Sequence, residues 1–239
     1  MAKPKKSLSQ NFLIDKNISK KIVEQTKISG NHILEIGPGY GFLTDSILEM
    51  NPKKVYLIEK DYNLKKVLIK KYKNNKKVSI IGDDILLTSL NKFKNLIIIS
   101  NLPYNISSKI ILYLFNYKIN INEMIFMIQK EMALKFDYKL PKMNKYKFLT
   151  RVVSNYNRCF DVSSKVFFPK PKVNSTIVKF KFNKKDIDLN KAIYFSTKIF
   201  KNVRKKIHNN LEINVDNNLL NKRVNQLNIN ELICIYDLF

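Results

Sequence analysis

Proline at position 103 is the tightest constraint in this sequence. It comes just after Leu96-Ile97-Ile98-Ile99-Ser100, a short apolar run rich in β-branched residues. Such a run, bounded by turn signals, reads as a buried central strand. Pro103 has no N–H to give a sheet ladder, so the strand must end here. Asn101 then projects from a strand's carboxyl end, with the aromatic Tyr104 three residues on. In open parallel sheets that edge is where ligands bind. The Asn101 side-chain oxygen and the backbone carbonyls of Leu102 and Pro103 can accept hydrogen bonds from an exocyclic amine. The Tyr104 ring offers a face on which a flat base can stack. An ordinary strand-to-turn exit with an Asn cap is spelled with the same four residues, so the rest of the chain has to decide.

The 239 residues allow one domain with an appendage, or two small domains, and suffice to bury a real core. The formal net charge of +25 points to a polyanionic partner, most simply nucleic acid. A bland rival exists: a chain rich in Lys, Asn and Ile with only 5 Gly is also what AT-biased codons produce. The lysines are spread along the chain, so composition locates no single patch. No apolar run reaches the ~18 residues of a membrane span. The basic N-terminus is followed by no apolar signal core, so no export is indicated. Cys159 and Cys234 make no metal or disulfide pattern, which fits a reducing, cytoplasmic setting.

From the N-terminus, Ala2 to Ser7 reads as a basic arm and Ser9-Gln10-Asn11-Phe12-Leu13 as a helix lead-in. Asp15 can cap a helix from about Lys16 to Ile28. His32 to Ile36 reads as the first strand, running into Gly37-Pro38-Gly39-Tyr40-Gly41 and a helix from about Phe42. Strand, glycine turn, helix is the geometry of a nucleotide-binding βα unit. Gly37 and Gly39 let the backbone approach a ligand closely. The pattern is not the dinucleotide fingerprint G-x-G-x-x-G, and Glu35 suits an ammonium group better than a phosphate. Together these favour S-adenosylmethionine over a dinucleotide. Lys54 to Glu59 is the second strand, and Glu59 lies about 20 residues past the turn, where an acid can bind ribose hydroxyls. Val78 to Ile81 is the third strand. It leads to Gly82-Asp83-Asp84-Ile85-Leu86, where Asp83 and Asp84 compete as acceptors for the adenine amine of the cofactor. The fourth strand delivers Asn101.

Ser107 can cap a helix from about Ser108 to Phe115, and Glu123 to Ile128 is a further strand leading into Gln129-Lys130-Glu131. Asp137 to Lys147 reads as a lysine-rich loop, Phe148 to Ser154 as helical, Tyr156 to Val162 as extended. In Val166-Phe167-Phe168-Pro169-Lys170-Pro171-Lys172-Val173-Asn174-Ser175 the two prolines exclude a helix and a central strand. The segment is therefore a rigid loop presenting aromatics beside Lys170 and Lys172, a stacking-plus-phosphate arrangement, with one of the two phenylalanines serving as a core anchor. After a polar linker from Asn183 to Asp188 the pattern turns helical: Ala192 to Val203, Arg204 to Leu211, then short helices to Phe239. Arg204-Lys205-Lys206 with His208 is the densest basic cluster and reads as a phosphate-contacting helix face.

These motifs, taken together, resemble the ribosomal RNA adenine N6-dimethyltransferase family, and most closely its bacterial small-subunit branch. The residues that carry the resemblance are Ser9 through Leu13, Glu35 through Gly39, Glu59, Asp84-Ile85-Leu86, Asn101 through Tyr104, Gln129-Lys130-Glu131, Phe167 through Ser175 and Arg204 to Leu211. They stand in the family's order and spacing across nearly the whole chain. The resemblance implies an α/β fold: a Rossmann-like class I S-adenosylmethionine-dependent methyltransferase domain over residues 1–182, then a small helical domain for RNA docking over 183–239. It implies that Asn11, Leu13, Gly37, Glu59, Asp84 and Asn101 contact S-adenosylmethionine, with Asp84 rather than Asp83 at the cofactor's adenine. It places Phe167, rather than Phe168, at the face of the target base. Ser9 where the family has Gly, Asn174 where it has Asp, the loop near 140 without a glycine, and a short helical domain depart from the pattern.

The resemblance further implies a monomeric, cytoplasmic enzyme with small-subunit ribosomal RNA as its partner and no metal or membrane requirement. Its expected reaction is two methyl transfers to N6 of each of two adjacent adenines in the 3′-terminal hairpin of 16S rRNA. Asn101, Leu102, Pro103, Tyr104 and Phe167 would hold the extruded base, and Lys170, Lys172, Arg204, Lys205 and Lys206 the RNA. A large-subunit methyltransferase of the antibiotic-resistance type shares the cofactor motifs. A non-catalytic ribosome-assembly factor is argued against by intact Glu59, Asp84 and Asn101, and a nicotinamide-dependent oxidoreductase by the glycine spacing.

Overall fold

The computed structural model describes residues 11–183, 187–213 and 217–239. The basic arm Ala2 to Ser7, Ser9 and Gln10 of the first motif, and residues 184–186 of the linker lie outside the described residues. The chain divides into two compact units, residues 1–132 with 157–182, and residues 133–156 with 183–239. The elements in order are β1 (Phe12–Leu13), α1 (Lys16–Val23), β2 (His32–Ile36), α2 (Phe42–Glu49), β3 (Lys54–Ile58), α3 (Tyr62–Tyr72), β4 (Val78–Ile81), β5 (Leu96–Asn101), α4 (Ser107–Phe115), β6 (Ile121–Gln129), α5 (Lys130–Phe136), α6 (Lys145–Val153), β7 (Ser154–Val162), β8 (Phe167–Phe168), β9 (Ser175–Phe182), α7 (Leu189–Ile199), α8 (Asn217–Leu220) and α9 (Ile229–Leu238).

The first unit is built on a sheet of order β4-β3-β2-β5-β6-β9-β7. From β4 to β6 every pairing is parallel; β9 joins β6 antiparallel. The chain starts in the middle with β2, winds outward through β3 and β4, then returns to place β5 on the other side of β2. That reversal is a topological switch point. Apolar side chains of β2, β3, β5 and β6 are buried on both faces, as parallel strands with helices above and below require. Helix starts follow simple capping chemistry. Asp15 accepts from Asn17 N at 2.8 Å and Ile18 N at 3.0 Å, and Asp61 accepts from Asn63 N at 2.9 Å. Ser107 does not cap α4: its hydroxyl donates to the Tyr104 carbonyl at 3.3 Å, and Ile106 stands at the cap position.

β2 pairs with β5 only from His32↔Leu96 to Leu34↔Ile98. Beyond that, β2 stays with β3 as far as Ile36↔Ile58, and β5 stays with β6 as far as Asn101↔Met127. The two central strands thus part at their carboxyl ends. The Ile36 N–H left over at the fork donates to the buried Ser100 hydroxyl at 2.7 Å, and that hydroxyl donates to the Ile99 carbonyl at 2.7 Å. α2 then leaves the glycine turn from Gly41, which has φ +77°. A Cβ at Gly41 would strike the Tyr72 hydroxyl, which itself donates to the Gly41 carbonyl at 3.0 Å. Only glycine fits there.

The second unit packs α6, α7 and α9 around Phe148, whose ring centroid lies 5.0 Å from that of Phe195 and 5.3 Å from that of Tyr236. Residues 133–156 belong to this unit together with the chain beyond 182, so the boundary expected at 182 marks only its second entry. The Tyr156 hydroxyl closes the 133–156 segment on the Ala133 carbonyl at 2.6 Å. α6 starts at Lys145, earlier than expected, and Lys147 is buried. Its ammonium donates to the carbonyls of Leu140, Pro141 and Lys142 at 2.9, 2.5 and 3.3 Å, which folds the lysine-rich loop back onto the helix. No helix among the described residues is long and apolar enough to cross a membrane.

Ser100→Ala leaves the Ile36 N–H buried without an acceptor and is expected to lower stability by about 1–3 kcal/mol. Urea unfolding checks this. A midpoint equal to that of the wild type would show that the fork does not need the hydroxyl.

Candidate active site

The parting of β2 and β5 opens a cavity of about 260 Å³ in the first unit. Its wall includes Asn11, Phe12 and Leu13 from the N-terminal stretch, Glu35 to Tyr40 from the glycine turn, Glu59 and Lys60 after β3, Asp83 to Ile85 after β4, and Asn101 to Ile106 after β5. Every candidate cofactor residue read from the sequence is in this wall, as are Asn101, Leu102, Pro103 and Tyr104.

Asn101 is the most informative of them. Its Nδ2 donates to the Asn11 carbonyl at 2.8 Å. A carbonyl accepts only from a donor, so this bond fixes which end of the amide is which. Oδ1 is left buried with no hydrogen-bond partner. A buried acceptor without a donor is rare in a folded chain and calls for an explanation, a bound water or a ligand's N–H being the two that a cavity wall offers. Beside it the Pro103 carbonyl already takes the Ile106 N–H at 3.3 Å, and no bond to the Leu102 carbonyl is made among the described residues. Tyr104 is held by its hydroxyl, 2.6 Å from the fully buried hydroxyl of Ser175, and burial pushes its pKa up. The ring therefore stays neutral and fixed in the wall.

The three acids meet different environments. Glu35 is buried at the end of β2, where desolvation pushes its pKa up to about 8 even though the Thr44 hydroxyl donates to it at 2.5 Å. Glu59 is also raised by burial, but its oxygens accept the backbone N–H groups of Asp61 at 2.8 Å and Gly39 at 3.1 Å. Each oxygen keeps a lone pair for a further donor. Burial acts to raise Asp84 as well, but the Lys60 ammonium at 2.8 Å and the Leu86 N–H at 3.0 Å hold it below the ordinary carboxylate range. Asp83, exposed, accepts the Asp84 N–H at 2.7 Å. Gly37 has φ +62° and a Cβ there would meet nothing within 4 Å, so free space borders the backbone at the turn. A Cβ at Gly39 would come within 2.8 Å of the Phe12 ring. Buried carboxylates at the ends of β2 and β3, an acceptor after β4 and an open glycine turn form the donor and acceptor set that an amino-acid-bearing nucleoside needs. S-adenosylmethionine fits it. Among the described residues no three His, Cys, Asp or Glu side chains gather as metal ligands.

Phe167 does not line this cavity. It is 3% exposed and packs in the core with Leu13, whereas Phe168 is 49% exposed. Phe167 is thus the core anchor of the pair, and reaching a base would require it to turn out of the core. The reason is a pairing that sequence did not show: β1 and β8 form a two-stranded antiparallel ribbon, Phe12↔Phe168 and Leu13↔Phe167. The N-terminal stretch is a strand here and no helix lead-in. Lys170 and Lys172 are exposed on the following loop. Asn174, in place of the family's Asp, uses Oδ1 to accept the Ser164 N–H at 3.1 Å, a bond that either side chain can make. The Gln129-Lys130-Glu131 motif braces the same loop through Lys130 N to the Asn174 carbonyl at 3.1 Å, and holds β7 through Lys130 Nζ to Asp161 at 2.5 Å.

Arg204, Lys205 and Lys206 are exposed in the second unit but are not on a helix. Lys206 bridges Arg223, and only a single turn at Ile207–Asn209 follows. Thr44, Lys60, Ser100 and Ser175 are the contributors that sequence reasoning passed over; a hydroxyl or a lysine carries no signal until its partner is known.

The chain matches the family model for ribosomal RNA adenine dimethylase over residues 1–236. It is 42% identical over 216 residues to a protein of Malacoplasma penetrans named ribosomal RNA small subunit methyltransferase A, covering 87% of this chain and 77% of that one. A protein of the same name from Hydrogenobaculum sp. is 34% identical over 240 residues, covering 99% and 94%. Among solved structures, a dimethyladenosine transferase from Plasmodium falciparum superposes with a TM-score of 0.79 at 22% identity, over 95% of this chain and 97% of that one. The 23S rRNA methyltransferase ErmE does so with 0.74 at 19%, over 95% and 98%. These two likenesses speak for the fold alone.

A carboxyl with a folded-state pKa near 8 instead of 4.5 favours the fold in its protonated form. The Glu35 contribution is whole below about pH 4.5 and is lost as pH climbs through 8. The wild-type unfolding midpoint should therefore fall between pH 5 and 8 more than that of Glu35→Gln, measured in urea at each pH. Parallel profiles would contradict the buried, protonated Glu35.

Proposed function

The chain belongs to the ribosomal RNA adenine dimethylase family, and we propose that its target is the RNA of the small ribosomal subunit, at two adjacent adenines of the 3′-terminal hairpin, during ribosome assembly. It is an S-adenosylmethionine-dependent enzyme that dimethylates adenine in ribosomal RNA, on a class I methyltransferase fold. The choice of subunit is supported by the names of its relatives from Malacoplasma and Hydrogenobaculum. Action as a monomer is part of the same proposal. A cytoplasmic location belongs to it as well, in keeping with a ribosomal RNA substrate.

The proposal assigns the cofactor's subsites from the wall outward. Asp84 accepts from the adenine amine and Ile85 packs on the ring. Glu59 takes the ribose hydroxyls with its free lone pairs. Glu35 faces the ammonium group, and Gly37 and Gly39 admit the chain between them. Asn11 and Leu13 close the mouth, with Asn101 at the far end. When bound, the cofactor supplies a sulfonium methyl that is already activated, so no covalent enzyme intermediate is required.

The protein's work lies with the nucleophile. Adenine N6 shares its lone pair with the ring and is a poor nucleophile while it does so. Asn101 Oδ1 and the Leu102 carbonyl accept the two N6–H bonds, with the Pro103 carbonyl as the neighbouring alternative. That pair of acceptors turns the amine and localises its lone pair toward the methyl. The Tyr104 ring, pinned by Ser175, stacks on the extruded base, and Phe167 does the same from the other side if it leaves the core. Stacking of this kind contributes ~1–3 kcal/mol per base. Positioning and preorganised acceptors supply the rate. A pocket walled by neutral carbonyls and a flat ring also admits the monomethylated base for the second transfer. Lys170 and Lys172 on one unit, and Arg204, Lys205 and Lys206 on the other, contact RNA phosphates, in keeping with the net charge of +25.

The observation that carries this reading is the buried, partnerless Asn101 Oδ1 at the cavity. Asn101→Ala should retain binding of ribosomal RNA and lose methyl transfer by about a hundredfold or more. Labelled methyl transfer to unmethylated small and large subunits in parallel, followed by nucleoside analysis, reads rate, product and subunit. Turnover equal to the wild type would remove Asn101 from the mechanism, and label confined to large-subunit RNA would overturn the subunit assignment.

A further inference from the structure

Phe168 is a large aromatic left half in water, paired across the ribbon with the cavity-lining Phe12, and neither the core nor the transfer chemistry uses it. Its direction follows from the β1–β8 ribbon. Residues opposite each other in an antiparallel pair project to the same face, and neighbours along a strand to opposite faces. Leu13 and Phe167 face each other and are both buried in the core. Phe12 and Phe168 therefore share the other face. The Phe12 ring lies edge-on to Tyr40, with centroids 4.9 Å apart, and forms part of the cavity wall. Phe168 is the cross-strand partner of Phe12, is 49% exposed and does not itself line the cavity.

The segment that carries Phe168 is held in place. The Ile14 N–H donates to the Val166 carbonyl at 3.0 Å, and Asn174 bonds both to Ser164 and to Lys130 at 3.1 Å. A braced ring loses little freedom when a ligand lies on it. Around it Lys165, Lys170 and Lys172 are exposed, and none has a carboxylate partner among the described residues. An exposed ring among unpaired cations is the arrangement that binds single-stranded nucleic acid.

We propose that Phe168 is a stacking subsite for the unpaired nucleotide flanking the target adenine, with Lys170 and Lys172 on its phosphates. This rests on the RNA substrate proposed above and adds a second base-binding position to it. The extruded adenine enters the cavity past Phe12, and its neighbour in the strand is caught on Phe168. Register along the RNA is then set by two stacked bases instead of one.

The test compares Phe168→Ala and Phe168→Tyr with the wild-type full chain on unmethylated small subunits. S-adenosylmethionine affinity is measured by calorimetry in parallel. The expected result is a KM for the subunit raised about tenfold in Phe168→Ala, restored in Phe168→Tyr, with S-adenosylmethionine affinity equal to the wild type. A hairpin RNA with 2-aminopurine next to the target should show its fluorescence quenched on binding by the wild type and not by Phe168→Ala. A KM unchanged by Phe168→Ala would overturn the proposal. So would a loss of cofactor affinity of the same size, which would make Phe168 part of the donor wall. If the wild type methylates only large-subunit RNA, the subunit assignment fails, and the same Ala and Tyr comparison on that RNA still decides Phe168.

Discussion

Two parallel strands that stop pairing two residues too soon are what the rest of this molecule depends on. After Leu34 and Ile98, β2 follows β3 and β5 follows β6. The gap between their carboxyl ends is where the glycine turn and Asn101 meet. A fork in a buried sheet leaves backbone groups without partners, and each such group costs about 1–3 kcal/mol if nothing takes it. Ser100 takes the one at Ile36. The cavity is thus a stable part of the sheet, and its wall is set by the strand ends.

Burial then sorts the polar groups on that wall. Glu35 sits deepest and is the one pushed to about 8. Glu59, held by two backbone N–H groups, and Asp84, held by Lys60, have their negative charge supported from behind. Asn101, in the cavity wall, gives its Nδ2 to the Asn11 carbonyl, which leaves its own oxygen buried and without a partner. A ligand that brings one ammonium, two hydroxyls and an aromatic amine satisfies the set, and a second amine is needed for Asn101. In the reading proposed above, this wall serves two molecules, a methyl donor and an acceptor base, that meet at the Asn101 amide oxygen.

Much of this was legible in the chain because it is written in residues with few alternatives. Pro103 cannot be in a ladder, so the strand had to end beside Asn101, although those residues alone also spell an ordinary capped turn. The glycines at 37 and 39 and the spacing to Glu59 pointed to one site, and the three do line one cavity. What stayed hidden depends on partners distant in sequence. β1 and β8 have two residues each, too few for any periodicity, and which of Phe167 and Phe168 is buried depends on their opposing pair. Arg204 to Lys206 has helical spacing but is tied to Arg223 in a bridge. Lys147 looks like one more loop lysine until three carbonyls are found around its ammonium. Ser175 sits in a recognisable motif, but its hydroxyl acquires a purpose only through Tyr104.

The most direct measurement is a crystal structure of the protein with S-adenosylhomocysteine. The account predicts the nucleoside between β2 and β5, with ribose hydroxyls on Glu59, the adenine amine on Asp84, and Asn101 Oδ1 still open toward the space beyond the sulfur. A nucleoside seated elsewhere, or Asn101 with its Oδ1 bonded within the protein and its Nδ2 toward the ligand, would contradict it.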